Sequence, residues 1–96
     1  RLDVDAVEIH TGDFCDAQDH DTASRELERI TEAARHGEAA SLAVVAGHGL
    51  DYTNVQAIAR IDQVEEVNIG HSIVARAIFV GFDQAVREMV ELLRTA

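Results

Sequence analysis

Hydrophobic positions along this chain fall into short continuous runs and helix-spaced repeats, and the two kinds alternate. LDVDAVEI, residues 2–9, places Val4, Val7 and Ile9 in a strand-like segment. HTGDFCDAQDHDT, residues 10–22, is polar, carries Asp13, Asp16, Asp19 and Asp21, and predicts a loop. From Thr22 to His36, the residues Ala23, Leu27, Ile30 and Ala34 fall at i, i+4, i+7 and i+11. That spacing is one face of an amphipathic helix, with Gly37 placed to end it. SLAVVAG, residues 41–47, is the continuous apolar run expected of a strand buried on both faces. Asp51 or Thr53 is placed to cap a short helix carrying Val55, Ile58 and Ala59. Val64 to Ile69 predicts a third strand, after which Ser72 caps a helix to Val80 that Gly81 stops. Asp83 caps a last helix with Val86, Met89, Val90 and Leu93 on one face, and Phe82 and Val86 are spaced as a hydrophobic staple.

The order is β-α-β-α-β-α-α, an α/β class in which strands separated by helices form a parallel sheet with right-handed crossovers. Three βα units do not close a barrel, so such a sheet keeps two bare edges and an uncovered face. A chain of 96 residues is one domain or a portion of one. Its hydrophobic content of 47% suffices for a core, though a thin one at this size. Further strands are therefore expected from elsewhere or from a partner. The chain opens Arg1-Leu2-Asp3-Val4 without a methionine, which suggests an internal start.

Charge narrows the function classes. Eighteen acidic and 8 basic side chains leave a formal net charge of -10, which argues against nucleic acid or an anionic membrane surface as partner. It leaves room for a small anionic ligand, because helix N-termini and backbone N–H groups hold phosphate locally. No apolar stretch reaches the roughly 18 residues of a membrane span. The single cysteine, Cys15, forbids an intrachain disulfide and fits a cytoplasmic protein.

In parallel α/β architectures ligands gather where strand C-termini meet helix N-termini. Each junction here carries chemistry: Glu8-Ile9-His10-Thr11-Gly12, Gly47-His48-Gly49 and Asn68-Ile69-Gly70-His71-Ser72. His48, uncrowded between two glycines, has the side chain most used for proton transfer near neutral pH, although it could equally pair with a carboxylate or cap a helix. Gly70-His71-Ser72 opens a helix and offers N–H donors and a helix dipole to a phosphate, the alternative being an ordinary cap. Glu8 interrupts an apolar strand, as a functional carboxylate or as half of a salt bridge. His10, Cys15 and His20 stand five apart in the acidic loop, wider than zinc-ligand pairs, so no metal is assigned. Cys15 has no basic neighbour in sequence to lower its pKa and is not read as a nucleophile.

EIHTG at 8–12, AGHGLDYTNV at 46–55 and EEVNIGHSIVARAIFVG at 65–81 together resemble the C-terminal part of the pyridoxine 5'-phosphate synthase family, and the likeness covers nearly the whole chain. The last block is the most specific. The resemblance implies that residues 1–96 are the C-terminal three βα units of a (β/α)8 TIM barrel, with an extra helix before the last helix. It implies a condensation of 1-deoxy-D-xylulose 5-phosphate with 3-amino-2-oxopropyl phosphate, closing a pyridine ring in vitamin B6 biosynthesis without a cofactor. By the same resemblance His48 matches a proton donor, Gly49 a substrate contact, and Gly70 with His71 a phosphate-binding pair. Glu8 matches a carboxylate that supports the charged transition state. A homo-oligomer, an octamer, is implied as well, with the apolar faces of helices 72–80 and 83–95 as candidate contacts.

The family's remaining acid–base residues, a histidine and a glutamate, lie on earlier strands and have no counterpart here, so no turnover is expected of these 96 residues alone. Val45 departs from a position where a polar residue is expected, and Ala57 and Asp62 from positions where proline is expected. Two rivals of other classes stand beside the enzyme: a non-catalytic phosphate-binding half-barrel, and a metal-binding module using the acidic loop.

Overall fold

The computed structural model describes residues 5–96, so Leu2 and Val4 of the first expected strand lie outside the described residues. Strand β1 spans Ala6–His10, β2 Ala43–Gly47 and β3 Glu66–Asn68. They form one parallel sheet in the order β1-β2-β3. Helices are α1 (Gly12–Cys15), α2 (His20–Ala39), α3 (Val55–Ala59), α4 (His71–Val80) and α5 (Phe82–Arg94). The alternation expected from the hydrophobic rhythm is present, with α1 as an addition.

Register gives the sheet two unlike faces. Glu8 stands beside Val45, and Val45 beside Glu66; His10 stands beside Gly47, and Gly47 beside Asn68. Because side chains alternate along a strand, those six residues share one face. Val7, Ile9, Val44, Ala46 and Val67 share the other. The second face is covered by helices and holds the core, where Ile9, Ile30, Ala34, Val44, Ala46, Val55, Ile58 and Met89 are buried together. Fully buried Ile30, Ile58, Val44 and Val55 each contribute about 1.5–3 kcal/mol of apolar burial, and they anchor the strand ends from behind.

Several local assignments differ from the sequence expectations. The acidic loop contains α1, whose four residues are too few to leave a periodic trace. Gly37 does not end α2; it lies within it, on the buried face that continues from Ile30 and Ala34. A Cβ there would stand 2.9 Å from Val44 Cγ2 and 3.1 Å from Val7 Cγ1, so glycine lets the helix approach the sheet. The chain instead reverses at Ser41, with φ 64°. Strand β3 is shorter than the expected Val64–Ile69.

Ser72 is not the cap of α4. The N-cap is Gly70, and the Ser72 hydroxyl donates to the Leu50 carbonyl at 3.0 Å, tying α4 to the loop after β2. Asp83 likewise lies in the first turn of α5 with Gly81 as N-cap, and Phe82 is 63% exposed rather than stapled inward. Neither Asp51 nor Thr53 is the cap of α3: its N-cap is Asn54, whose side chain makes no capping bond to the helix. Asp51 Oδ1 accepts from the Asn54 N–H at 3.0 Å while Asn54 Oδ1 accepts from the Asp51 N–H at 2.7 Å, which closes the turn leading into α3.

Helix α5 packs on α3 and α4. Arg76 and Glu88 make a two-pronged ion pair at 2.9 and 3.3 Å, and the guanidinium holds the Glu88 carboxyl below its ordinary range. Tyr52 Oη donates to the Ala85 carbonyl at 2.7 Å. The first contact joins α4 to α5, and the second fixes the β2–α3 loop against α5.

Helix α2 starts on Asp19, whose carboxylate accepts from the Thr22 N–H at 2.7 Å and from the Thr22 hydroxyl at 3.0 Å. The hydrogen bonds from Thr22 hold the Asp19 carboxyl below its ordinary value. A depressed carboxyl stabilises the fold above its unfolded-state pKa and stops doing so as pH falls through its folded value. In the full-length protein, Asp19→Ala is expected to lower the melting temperature by a few degrees at neutral pH. Melting curves recorded down a pH series should show the gap to wild type closing below the ordinary carboxylate range. A gap independent of pH contradicts this role.

Candidate active site at the strand ends

The C-terminal ends of β2 and β3 open on one cleft of about 530 Å³. It is lined by His48 and Gly49 after β2, by Asn68 to His71 after β3, and by Leu50, Asp51 and Ser72. Both glycine-histidine junctions therefore face the same space, although 22 residues of chain separate Gly49 from His71. His48, Gly49, Gly70 and His71 are all solvent-exposed there.

His48 is held in an unusual backbone conformation, with φ 94°, and Gly49 follows at φ 78°. Positive φ is costly for a residue with a side chain and persists where the surroundings enforce it. Here the Thr11 hydroxyl, fully buried, donates to the His48 carbonyl at 2.6 Å. The Thr11 N–H donates to the Gly47 carbonyl at 2.9 Å. The imidazoles of His10 and His48 stack with ring centroids 4.1 Å apart and 26° between planes.

Glu8 does not line the cleft itself. It reaches the cleft's edge through Asn68, whose Nδ2 donates to Glu8 Oε2 at 2.7 Å. The two residues stand on the outer strands and meet above Gly47 of the middle strand. A Cβ on Gly47 would stand 2.9 Å from Asn68 Cβ and 3.3 Å from Glu8 Oε2, so the bridge exists because position 47 has no side chain. Among the described residues the partner of Glu8 is this neutral amide and not the cation of a salt bridge. Val45, flagged as a departure, lies on the same face between Glu8 and Glu66 and is partly buried.

Gly70 and His71 form the start of α4. Gly70 is the N-cap, no side chain caps the helix, and Gly70, His71 and Ser72 line the cleft. No atom stands within 4 Å of where a Gly70 Cβ would be, so the approach is unobstructed. Asp51, the acidic member of the lining, turns its carboxylate into its own loop, accepting from Thr53 N–H, Thr53 Oγ1 and Asn54 N–H. That leaves backbone donors and the two histidines as the groups suited to an anion.

From the sequence, His10 is named as a junction residue and weighed as a metal ligand, and Asn68 is named as a junction residue, but neither is given a role in the site. The two-residue period gives each strand's face, but His10, Gly47 and Asn68 align only once the strand register is known.

Cys15 sits under the site and its thiol donates to the His48 carbonyl at 3.5 Å. Burial pushes its pKa up, outweighing the lowering by the Thr11 hydrogen bond. A smaller thiolate fraction means slow alkylation. Iodoacetamide labelling of the full-length protein at neutral pH is expected to modify Cys15 several-fold more slowly than a free cysteine peptide; equal or faster labelling contradicts the raised pKa of this half-buried thiol. Among the described residues no group of three or more His, Cys, Asp or Glu is arranged to hold a metal ion. Among the same residues no helix is long and apolar enough to cross a membrane.

A second cleft, of about 340 Å³, lies at the opposite end of β3 among Ala59, Val64, Glu65, Glu66, Val67 and Leu93. It brings together neither histidine nor a helix N-terminus.

A parallel α/β sheet with paired histidines and an open helix N-terminus at its strand ends defines a class: α/β proteins that hold a small ligand at the C-terminal edge of the sheet. More narrowly, residues 1–95 match the family described as pyridoxal phosphate biosynthesis protein PdxJ, and the chain belongs to that family. It is 52% identical over 93 residues to a pyridoxine 5'-phosphate synthase of Syntrophotalea carbinolica, covering 97% of this chain and 39% of that protein. It is 51% identical over 96 residues to the pyridoxine 5'-phosphate synthase of Geobacter metallireducens, covering 100% of this chain and 40% of the relative. The corresponding protein of Desulforapulum autotrophicum is 49% identical over 94 residues, 98% of this chain and 39% of its own. The chain thus spans about two fifths of the length of the curated relatives it matches.

Proposed function

We propose that this chain is the C-terminal portion of a pyridoxine 5'-phosphate synthase, supplying the last three βα units of a (β/α)8 barrel and part of its active site. The observation that carries the reading is the single cleft lined by both glycine-histidine junctions. Family membership supports it. The uncovered polar face of the sheet, with Glu8, His10, Glu66 and Asn68, suits the interior of a barrel completed by further strands.

In this reading 1-deoxy-D-xylulose 5-phosphate and 3-amino-2-oxopropyl phosphate condense, and phosphate and water leave as the pyridine ring closes. Imine formation, dehydration and ring closure are proton transfers, which need placed acids and bases. His48 donates a proton at the strand edge. Gly70 and His71 hold a substrate phosphate with backbone N–H groups and the imidazole, and Gly49 contacts substrate beside His48. Glu8, anchored by Asn68, supports positive charge developing on the reacting nitrogen-bearing carbon framework. The partner acid and base come from strands outside these 96 residues, so these residues alone are expected to turn over nothing.

A homo-oligomer, an octamer by the family resemblance, completes the proposal. Ile78 and Phe79 at the end of α4 are 79% and 83% exposed, and α4 has no buried residue, which suits a covered subunit contact. A monomeric mass for the full-length protein in solution removes that part. The protein acts in the cytoplasm in this reading.

The test supplies the full-length protein with both phosphorylated substrates. Pyridoxine 5'-phosphate accumulating with released phosphate supports the enzyme. Saturable binding of the substrates without any product leaves the phosphate-binding module.

A further inference from the structure

We infer that His10 and Thr11 are the mounting of the His48 imidazole, positioning residues that act through it and not on a substrate. The inference rests on the proposed role of His48 as proton donor. Consecutive residues of the first junction each hold a different part of the second. Thr11 holds the backbone: its hydroxyl reaches the His48 carbonyl at 2.6 Å and its N–H the preceding Gly47 carbonyl at 2.9 Å. His10 holds the ring, stacked at 4.1 Å. Gly12 leaves them room, since a Cβ there would stand 2.8 Å from His48 Cδ2 and 2.9 Å from His10 Cε1.

A buried threonine hydroxyl needs some acceptor, and that alone assigns no role. Thr11 is distinguished by which acceptor it takes. Among the described residues only Ser41 and His48 carry a side chain at positive φ, and Thr11 holds the carbonyl of the second. A positive φ directs the His48 side chain differently from any extended strand residue, so releasing the carbonyl releases the imidazole's direction. His10 adds a second restraint, on ring tilt, which a backbone hydrogen bond cannot supply. Arg29 Nη2 in turn donates to the His10 carbonyl at 3.2 Å, fixing the strand end from α2. HTG and GHG are accordingly two halves of one device, brought together by the parallel pairing of β1 and β2.

The experiment uses the full-length protein with ¹³C,¹⁵N-labelled histidine, the His48 ring signals being identified by their loss in His48→Asn. Thr11→Val keeps the shape of threonine and removes its hydroxyl. It is expected to shift the His48 signals and to lower kcat by about 30-fold with KM for both substrates nearly unchanged, the signature of misplaced rather than missing machinery. Thr11→Ser should restore both readouts. His10→Ala should lower kcat in the same way, and His10→Phe, which keeps a ring to stack on, should recover part of that loss. Unmoved His48 signals in both Thr11→Val and His10→Ala overturn the inference. A His10→Phe variant as slow as His10→Ala overturns it too, because His10 then acts as an acid or base itself. If wild type forms no product, the proposed function fails, and the histidine signals alone decide the mounting. If circular dichroism shows Thr11→Val unfolded, the exposed His10 pair decides it.

Discussion

Gly47→Val is expected to abolish detectable turnover in the full-length protein, a loss of at least about 100-fold, and to destabilise it by about 1–3 kcal/mol. The cause is the crossing above β2. Glu8 on β1 and Asn68 on β3 hydrogen-bond over the one position of the middle strand that has no side chain. A valine would place its Cβ 2.9 Å from Asn68 Cβ and 3.2 Å from the Asn68 carbonyl oxygen, and backbone gives way less readily than a side-chain tip. Its γ carbons would then occupy the space of the Glu8 carboxylate. Kinetics and thermal melts of one preparation check both halves. A valine variant with wild-type turnover would mean that the bridge does not form part of the site.

The second large effect concerns charge with shape conserved. Glu8→Gln is expected to lower kcat by about 10²–10³-fold while leaving the melting temperature close to wild type. Asn68 Nδ2 can still donate to a glutamine carbonyl, so the bridge survives and only the negative charge is lost. Asn68→Ala is the complementary change: it leaves the charge but frees the side chain, and a smaller loss of about 10-fold is expected. Steady-state kinetics with both substrates separates the two. Equal losses in both variants would show that Glu8 is needed for geometry and not for its charge.

Most of the fold is legible in the sequence because β2 is a local apolar run and each long helix a local repeat, whereas β3, Glu66-Val67-Asn68, is shorter and more polar than a run can mark. AVVAG at 43–47 and the Ile30–Ala34 face of α2 need no distant partner to be recognised. The histidine junctions are legible for the same reason: glycine beside histidine after a strand is visible within a few residues. Helix caps are less so. Ser72 has the right identity and place for a cap, but its hydroxyl takes the Leu50 carbonyl, an acceptor 22 residues away. Gly37 has the right identity for a helix stop, yet its lack of a side chain serves packing against Val44.

What escapes the sequence is whatever the register decides. Glu8 could be singled out as a lone carboxylate in an apolar strand, but its partner Asn68 is 60 residues on. The pairing of His10 with His48 and the clamp from Thr11 likewise appear only when β1 and β2 are aligned. Gly47 was the available clue. A glycine inside a strand marks a close approach of other groups, and here those groups are the two halves of the bridge.

The most direct measurement is pyridoxine 5'-phosphate formation by the full-length protein and by its His48→Asn variant, side by side, from 1-deoxy-D-xylulose 5-phosphate and 3-amino-2-oxopropyl phosphate. Asparagine retains a polar side chain at the strained position and tolerates positive φ, so the fold should persist. Loss of a proton donor predicts a fall of about 10²–10⁴-fold in kcat. Wild-type rates from the asparagine variant would contradict the central role given to the histidine between Gly47 and Gly49.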